Sequence, residues 1–170
     1  AKEDAKTVEL ALSEELRQVC LTAGDSVFLL RIVEGTFPDY HAIVPESFEQ
    51  EISFDRDEAL TNLRRAMIFS RESSSIVKIS LQKDALEFSS SSSSVGAHES
   101  TIAAKLEKGV EKEIAFNGKY LQDFLSLGDG KDVRFFMNES LKPGKFITDG
   151  DAAFFYIVMP FRLQNLEPEA

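Results

Sequence analysis

The polar side chains that catalysis would need are few in this chain and are scattered along it. An enzyme needs a nucleophile beside a base, a metal cluster or a phosphate-binding loop. His41 and His98 are far apart in sequence, and neither a Gly-x-Ser-x-Gly element nor a phosphate-binding glycine series is present. Asp149-Gly150-Asp151 begins like a calcium loop but lacks the later ligands, so we interpret it as a turn. The sequence therefore predicts no catalytic residue, no metal site and no cofactor.

The single cysteine, Cys20, excludes a disulfide within the chain and argues against a Cys/His metal site. Its neighbours Val19 and Leu21 are apolar. This setting favours a buried, inert thiol over a reactive one.

Segment 153–163, AFFYIVMPFRL, points to recognition rather than catalysis. It is predicted to be a fully buried strand, apolar on both faces, that stops at Pro160. Met159, Phe161 and Leu163 then lie at or beyond the end of the ladder, where they can line a surface groove that binds peptides. The alternative is that these side chains belong to the core.

The elements that must position this segment follow from hydrophobic periodicity. Thr7–Leu12 and Ser26–Val33 are predicted strands, the second of them central because it is nearly all apolar. The run Ser89–Ser94 is interpreted as a strand end before a Val95-Gly96 turn, not as a linker. The rest divides into two units with the same order, strand, helix and three strands. The first unit comprises strand 48–54, helix 56–70 and strands 76–82, 85–92 and 98–106; the second comprises strand 112–116, helix 118–126 and strands 132–137, 145–149 and 153–159.

Two further segments accompany the closing one. Residues 31–45 contain the aromatic turn Phe37-Pro38-Asp39-Tyr40, and residues 113–125 lead into a helix capped by Asn117. The three segments resemble the bacterial sliding clamp family, the beta subunits of DNA polymerase III. Their third domain opens after an FPDY turn, has an FN-x-x-Y-L helix start and closes on a strand like Y-V-I-M-P-M-R-L.

The resemblance implies an α+β fold, the DNA clamp fold, with helices packed on antiparallel sheets. It implies a non-enzymatic processivity factor, a homodimeric ring in the intact parent, that encircles duplex DNA without sequence preference. The partners implied are the DNA polymerase III alpha subunit, the clamp loader and repair proteins. One alternative is a peptide-binding adaptor with the clamp fold that does not encircle DNA, and another is an unrecognised hydrolase.

The same resemblance divides the chain and locates a peptide groove. Residues 1–34 are expected to be the last strands of clamp domain 2, residues 35–163 domain 3, and residues 164–170 a disordered tail. The second-domain wall of the groove is then expected before Ala1, so that the chain holds half a site. Ala42 and Phe161 depart from the family pattern, which has a longer polar side chain and a methionine there. The groove residues implied are Pro38, Ile43, Asn117, Tyr120, Leu141, Pro143, Ile157, Met159, Pro160, Phe161 and Arg162.

Two other surfaces are implied. Arg64, Arg65, Arg71 and Lys119 are the expected DNA-facing cations, although a few cations on amphipathic helices also suit a solvated face. Helix 56–70 is expected to bury Leu60, Leu63 and Met67 by their spacing. The remaining apolar pair, Ile68 and Phe69, is the expected dimer interface.

Composition limits the class of protein. The chain has 170 residues and a formal net charge of −10, which argues against binding nucleic acid through an overall basic field. The charge does not exclude a local basic face, and solubility alone would also explain it. No apolar run is long enough to cross a bilayer, and the charged start AKEDAKTVEL does not resemble a signal peptide. A cytoplasmic location and no membrane partner are expected.

Overall fold

The structure, a computed structural model, describes residues 7–37, 39–70, 74–150 and 154–162. The chain divides into two compact units, Ala1–Asp39 and Tyr40–Ala170. Several predicted features lie outside the described residues: Pro38, Arg71, Asp151, the start of the closing strand at Ala153, Leu163 and the tail 164–170.

The first unit is a three-stranded antiparallel sheet in the order β1-β2-β3. Its strands are β1 (Glu9–Ser13), β2 (Gln18–Ala23) and β3 (Ser26–Arg31). β2 and β3 are joined by the two-residue turn Gly24-Asp25, in which Gly24 has the positive φ of 58° that glycine tolerates.

Two expectations for this unit were wrong, and one strand was missed. β3 is an edge strand and not a central one, since Leu29 is 70% exposed and β3 pairs with β2 alone among the described strands. β2 was not predicted, and Cys20, which lies on it, is half-buried rather than buried. A run of apolar residues signals a strand, but its neighbours decide whether the strand is covered.

The second unit contains the predicted duplication. A 3-10 turn, Tyr40–Ala42, precedes the first repeat, and each repeat has a strand, a helix and three strands. The first repeat consists of β4 (Gln50–Asp55), α1 (Arg56–Phe69), β5 (Ile76–Leu81), β6 (Ala85–Ser92) and β7 (Gly96–Lys108). The second consists of β8 (Lys112–Asn117), α2 (Gly118–Leu127), β9 (Asp132–Met137), β10 (Gly144–Thr148) and β11 (Phe155–Val158). The serine run ends β6 and leads into a turn, as predicted.

These strands form one antiparallel sheet in the order β11-β10-β9-β4-β7-β6-β5-β8. The long strand β7 joins its two parts, pairing with β6 over residues 96–103 and with β4 over residues 104–108. The sheet curls back on itself, because the Phe161 N–H beyond β11 donates to the Ala115 carbonyl on β8 at 2.7 Å. Both ends of the sheet therefore meet at the closing segment.

Side-chain caps start both helices. The Asp55 carboxylate accepts the N–H groups of Asp57 and Glu58, each at 2.9 Å, and Asn117 Oδ1 accepts the Lys119 N–H at 3.0 Å. The helices pack against each other and against one face of the sheet around a core that includes Leu63 and Phe124.

The core stripe of α1 differs from the prediction. Ala59, Leu63 and Ala66 are its buried residues, whereas Leu60 and Met67 are only partly buried at the margin of the core. Close approach of the helix to the sheet explains the difference, because small alanine side chains occupy the centre of the contact.

The closing strand also differs from the prediction of full burial. β11 has four residues, of which Val158 is buried and Phe155 is 38% exposed. Tyr156 and Val158 point inward while Phe155 and Ile157 point outward, as the two-residue period of a strand requires. Because every residue of this strand is apolar, the sequence does not show which side chains point inward and which point outward.

Candidate partner-binding surfaces

The closing segment beyond β11 is held by the backbone and presents its apolar side chains outward. β11 pairs with β10 up to Val158 opposite Gly144, and Phe161 then bonds to Ala115 of β8. Between these anchors Met159 is 61% exposed and Pro160 is half-buried, while Phe161 is 37% exposed. Met159 and Phe161 are therefore not core residues.

The start of α2 lies next to this segment, since β8 runs from Ala115 directly into the helix. Asn117 is half-buried, caps the helix and donates from Nδ2 to the Ser74 carbonyl at 3.3 Å. Tyr120, one turn on, is 53% exposed. The polar atoms of Asn117 are thus largely committed to local structure, whereas Tyr120 is available to a partner.

Tyr156 connects α2 to β11. Its ring stacks on Phe124 with centroids 5.5 Å apart. Burial of the phenol, with smaller contributions from Asp123 and Tyr120, raises the pKa of Tyr156. The stack holds α2 against the inner side of the closing strand.

The loop between β9 and β10 is anchored to β8, the last strand of the sheet. The Ser140 hydroxyl donates to the Glu113 carbonyl at 2.5 Å, and the Lys112 ammonium donates to the Asn138 carbonyl at 3.0 Å. Leu141 projects from this loop and is 54% exposed. The anchors fix Leu141 on an otherwise exposed turn.

A surface groove of about 470 Å³ lies beside this loop. It brings together two predicted residues, Ile43 from the segment after the 3-10 turn and Pro143 from the loop. Pro45, Ser47, Glu49, Asn138, Glu139 and Lys142 complete its lining. Ile157 is half-buried on the outer face of β11, opposite Lys145, and the exposed Arg162 follows Phe161.

The predicted groove residues therefore fall into two neighbouring groups. One group surrounds the junction of β8, α2 and the closing segment: Asn117, Tyr120, Met159, Pro160, Phe161 and Arg162. The other consists of Ile43 and Pro143, which line the groove together, Leu141 on the same loop as Pro143, and Ile157 on the outer face of β11. Tyr40, Phe155 and Lys145 border the second group and were not predicted, although Tyr40 stands in the FPDY turn.

The predicted DNA-facing cations that the structure describes are all exposed. Arg64 and Arg65 lie on α1 and Lys119 opens α2, and none of the three has an ion pair with another described residue. Since α1 packs against α2, these cations belong to one helical layer.

The predicted interface pair is not uniform. Ile68 is 50% exposed, but the Phe69 ring is half-buried and stacks on the His98 ring, with centroids 5.3 Å apart and planes 12° apart. Within the described ranges, no cluster of acidic, histidine or cysteine side chains could hold a metal ion, and no helix is long and apolar enough to span a membrane.

Comparison with known proteins agrees with the resemblance read from the sequence motifs. The beta sliding clamp of Staphylococcus aureus is 30% identical over 146 residues, which cover 85% of this chain and 39% of that relative. The beta sliding clamp of Synechocystis is 30% identical over 150 residues, covering 87% of this chain and 38% of that protein. The chain thus spans about 39% of the length of the curated relatives it matches.

Solved structures show the same fold. The DNA polymerase III beta subunit from Thermotoga maritima superposes with a TM-score of 0.75 at 27% identity, covering 92% of this chain and 42% of that chain. The sliding clamp from Pseudomonas aeruginosa bound to griselimycin gives 0.76 at 26% identity, with the same coverage of 92% and 42%. The curled antiparallel sheet with two helices is therefore the DNA clamp fold. Residues 41–162, well over half of the chain, match the family described as DNA polymerase III beta subunit, C-terminal domain, and the chain belongs to that family.

Proposed function

We propose that this chain forms part of a DNA sliding clamp, a non-enzymatic, cytoplasmic processivity factor that encircles duplex DNA and tethers polymerase. Residues 35–163 would form the third clamp domain and residues 1–34 the last strands of the second. The partners are duplex DNA, the DNA polymerase III alpha subunit, the clamp loader and repair proteins, with a homodimeric ring as the assembled form. Family membership and the exposed closing segment support this proposal.

The closing segment is the observation that carries the proposal. Met159 and Phe161 are exposed apolar side chains on a backbone fixed at both ends, by β10 and by Ala115. Methionine and proline provide an adaptable apolar surface, and Arg162 adds a donor for a carboxylate or a backbone carbonyl. Because the backbone is held in place, little ordering entropy opposes binding of a short peptide.

The helical layer suits weak contact with DNA. Arg64, Arg65 and Lys119 are exposed and not neutralised by described carboxylates, so they can approach phosphates. Such contacts are independent of sequence and weaken with salt, as sliding requires. The net charge of −10 limits the attraction to this local face.

The first repeat offers a surface for ring closure. Residues 96–102 of β7 pair with β6 and, among the described strands, with no other. The Ala104 N–H donates to the carbonyl of Asp84, which directly precedes β6, so the backbone groups of Ala104 point to the β6 side of β7. By alternation, the backbone groups of Ala97, Glu99 and Thr101 face the open side. The Phe69 ring stacks on His98 of β7, so Phe69 lies beside this edge. An open edge of this kind is suited to pairing with a strand of another subunit.

A calorimetric titration with an acetylated Gln-Leu-Phe peptide tests the groove. We expect weak binding to the 170-residue chain, and Met159→Gln should weaken it about tenfold, because burying one apolar side chain contributes roughly 1.5–3 kcal/mol. Leu127→Gln is the matched control, since Leu127 is also exposed, at 77%, but lies at the far end of α2. Equal losses in both variants, or no loss in either, would show that the closing segment is not the site.

A further inference from the structure

An exposed ledge borders the proposed groove, formed by Tyr40, Lys145 and Phe155. The Tyr40 and Phe155 rings lie 6.4 Å apart between centroids, tilted by 43°. The Lys145 ammonium lies 5.1 Å from the centre of the Phe155 ring, within the range of a cation–π interaction. Tyr40 is 44% and Phe155 38% exposed, so both rings can be reached from outside.

The ledge is continuous with groove residues. Lys145 stands opposite Ile157 in the β10–β11 register, and Phe155 is two residues before Ile157 on the same outer face. The Ile43 N–H donates to the Tyr40 carbonyl at 3.0 Å, so Ile43 follows directly from the same 3-10 turn. A peptide anchored on Ile43 and Ile157 would therefore have its neighbouring residue over the ledge.

The charge of the ledge is not balanced. Arg134 and Lys105 lie on the same face of the sheet, and each has a carboxylate partner, Glu51 at 3.3 Å and Glu107 at 2.7 Å. Lys145 has no ion pair or hydrogen bond with any other described residue, although the chain carries a net charge of −10. Its three N–H donors therefore remain available for a carboxylate from outside.

We propose that this ledge binds an acidic side chain of a partner peptide, an aspartate or glutamate flanking the apolar anchor in the groove. The inference deepens the proposed function and rests on it, because it specifies which peptides the site prefers. An acid there would bond to Lys145 while its methylene groups pack on the rings of Phe155 and Tyr40. Phe155 keeps the ammonium in place through the cation–π contact.

Matched peptides test the proposal by calorimetry on the 170-residue chain. Acetylated Gln-Leu-Phe is extended by two glutamates, or by two glutamines, at its amino end or at its carboxyl end. In about 0.1 M salt the Debye length is about 10 Å, so the overall negative field is screened while direct contact with Lys145 is not. One glutamate peptide should bind about threefold more tightly than its glutamine twin, as expected for a partly exposed ion pair.

Variants identify the cation. Lys145→Met should abolish the preference for glutamate and Lys145→Arg should retain it. Lys83→Met removes the same charge from the exposed turn between β5 and β6 and should leave the preference unchanged. Equal binding of glutamate and glutamine peptides would contradict the proposed role of the ledge without contradicting the groove. If Lys83→Met also lost the preference for glutamate, that preference would be an effect of net charge, and this result too would contradict the proposed role of the ledge. Absence of binding by every peptide at millimolar concentration would contradict the groove itself.

Discussion

The two repeats of the larger unit have the same order of elements but end in different ways. The first ends on β7, whose residues 96–102 leave one side of the strand open among the described residues. The second ends on β11, after which the chain crosses to β8 and bonds to Ala115. Among the described residues, the first repeat thus ends on a long strand with one open side, and the second on a short segment that one backbone bond ties to β8 and that exposes its side chains.

This difference suggests how one fold can serve two kinds of partner. An open strand edge presents N–H and C=O groups and is suited to main-chain pairing with another subunit. At the end of the second repeat the single bridge from Phe161 to Ala115 fixes the backbone, and a partner there meets exposed side chains such as Met159 and Phe161. We infer that the first repeat serves assembly and the second serves peptide capture.

The largest expected effect concerns what the repeats share, a single core. Phe124 is fully buried against Phe146 and Tyr156, so Phe124→Ala should lower the free energy of unfolding by about 3–5 kcal/mol. Leu63→Ala on the other helix should cost about 2–5 kcal/mol in the same denaturant transition. The exposed Leu127→Ala is the control and should stay within about 0.5 kcal/mol. Two separate transitions, each sensitive to one variant, would mean that the repeats fold independently.

A pair of prolines tests the open edge of β7. The backbone of Ser100 faces β6 and that of Thr101 faces the open side, by alternation from the Ala104–Asp84 bond. Ser100→Pro removes a ladder bond next to the buried Phe88 and should cost about 1–3 kcal/mol more than Thr101→Pro. Denaturation of the two variants gives the difference directly. Equal losses would indicate that the Thr101 side is also paired.

Substitutions of the two predicted interface residues should differ in their effect on the free energy of unfolding. Ile68→Gln changes an exposed side chain and should alter the free energy of unfolding by less than about 0.5 kcal/mol. Phe69→Leu loses the stack on His98 and should cost about 0.5–1.5 kcal/mol. Chemical denaturation distinguishes them. If Ile68→Gln proved the more damaging, Ile68 would be a structural residue and its place at a subunit interface would be wrong.

The smallest effect is a pH dependence in the second repeat. Burial raises the pKa of Tyr156 above the ordinary tyrosine value of 10.0, so the folded state favours the neutral phenol. The resulting stability is complete below pH 10 and is lost as the pH rises through the folded-state pKa. Tyr156→Phe should flatten this part of the stability profile, whereas Tyr120→Phe should change it less. Identical profiles for the wild-type chain and Tyr156→Phe would contradict the assignment.

Local patterns predicted the elements of the second unit well. Asp55 and Asn117 are strong N-caps, and both helices begin directly after them. The turn after the serine run and the duplicated order followed from alternation and turn residues in the same way. These signals are local in sequence, so they can be recognised without knowing the tertiary contacts.

Burial was harder to predict, because it depends on which element comes to lie on which face. The closing strand and β3 both have nearly continuous apolar sequences, yet both expose side chains such as Phe155 and Leu29. The choice of Ala59 and Ala66 for the contact of α1 depends on helix–sheet distance, which periodicity does not specify. The ledge is non-local as well, since Tyr40 meets Phe155 from more than a hundred residues away.

The most direct test of the division between the repeats is an amide NMR titration of the 170-residue chain with acetylated Gln-Leu-Phe peptide. We predict that shift changes cluster at residues 117–120, 141–145 and 157–162, in and just after the second repeat, and at residues 40–43, which border it, and that residues 96–103 of β7 stay unchanged. Changes centred on β7, or none at millimolar peptide, would contradict the claim that the end of the second repeat captures peptides.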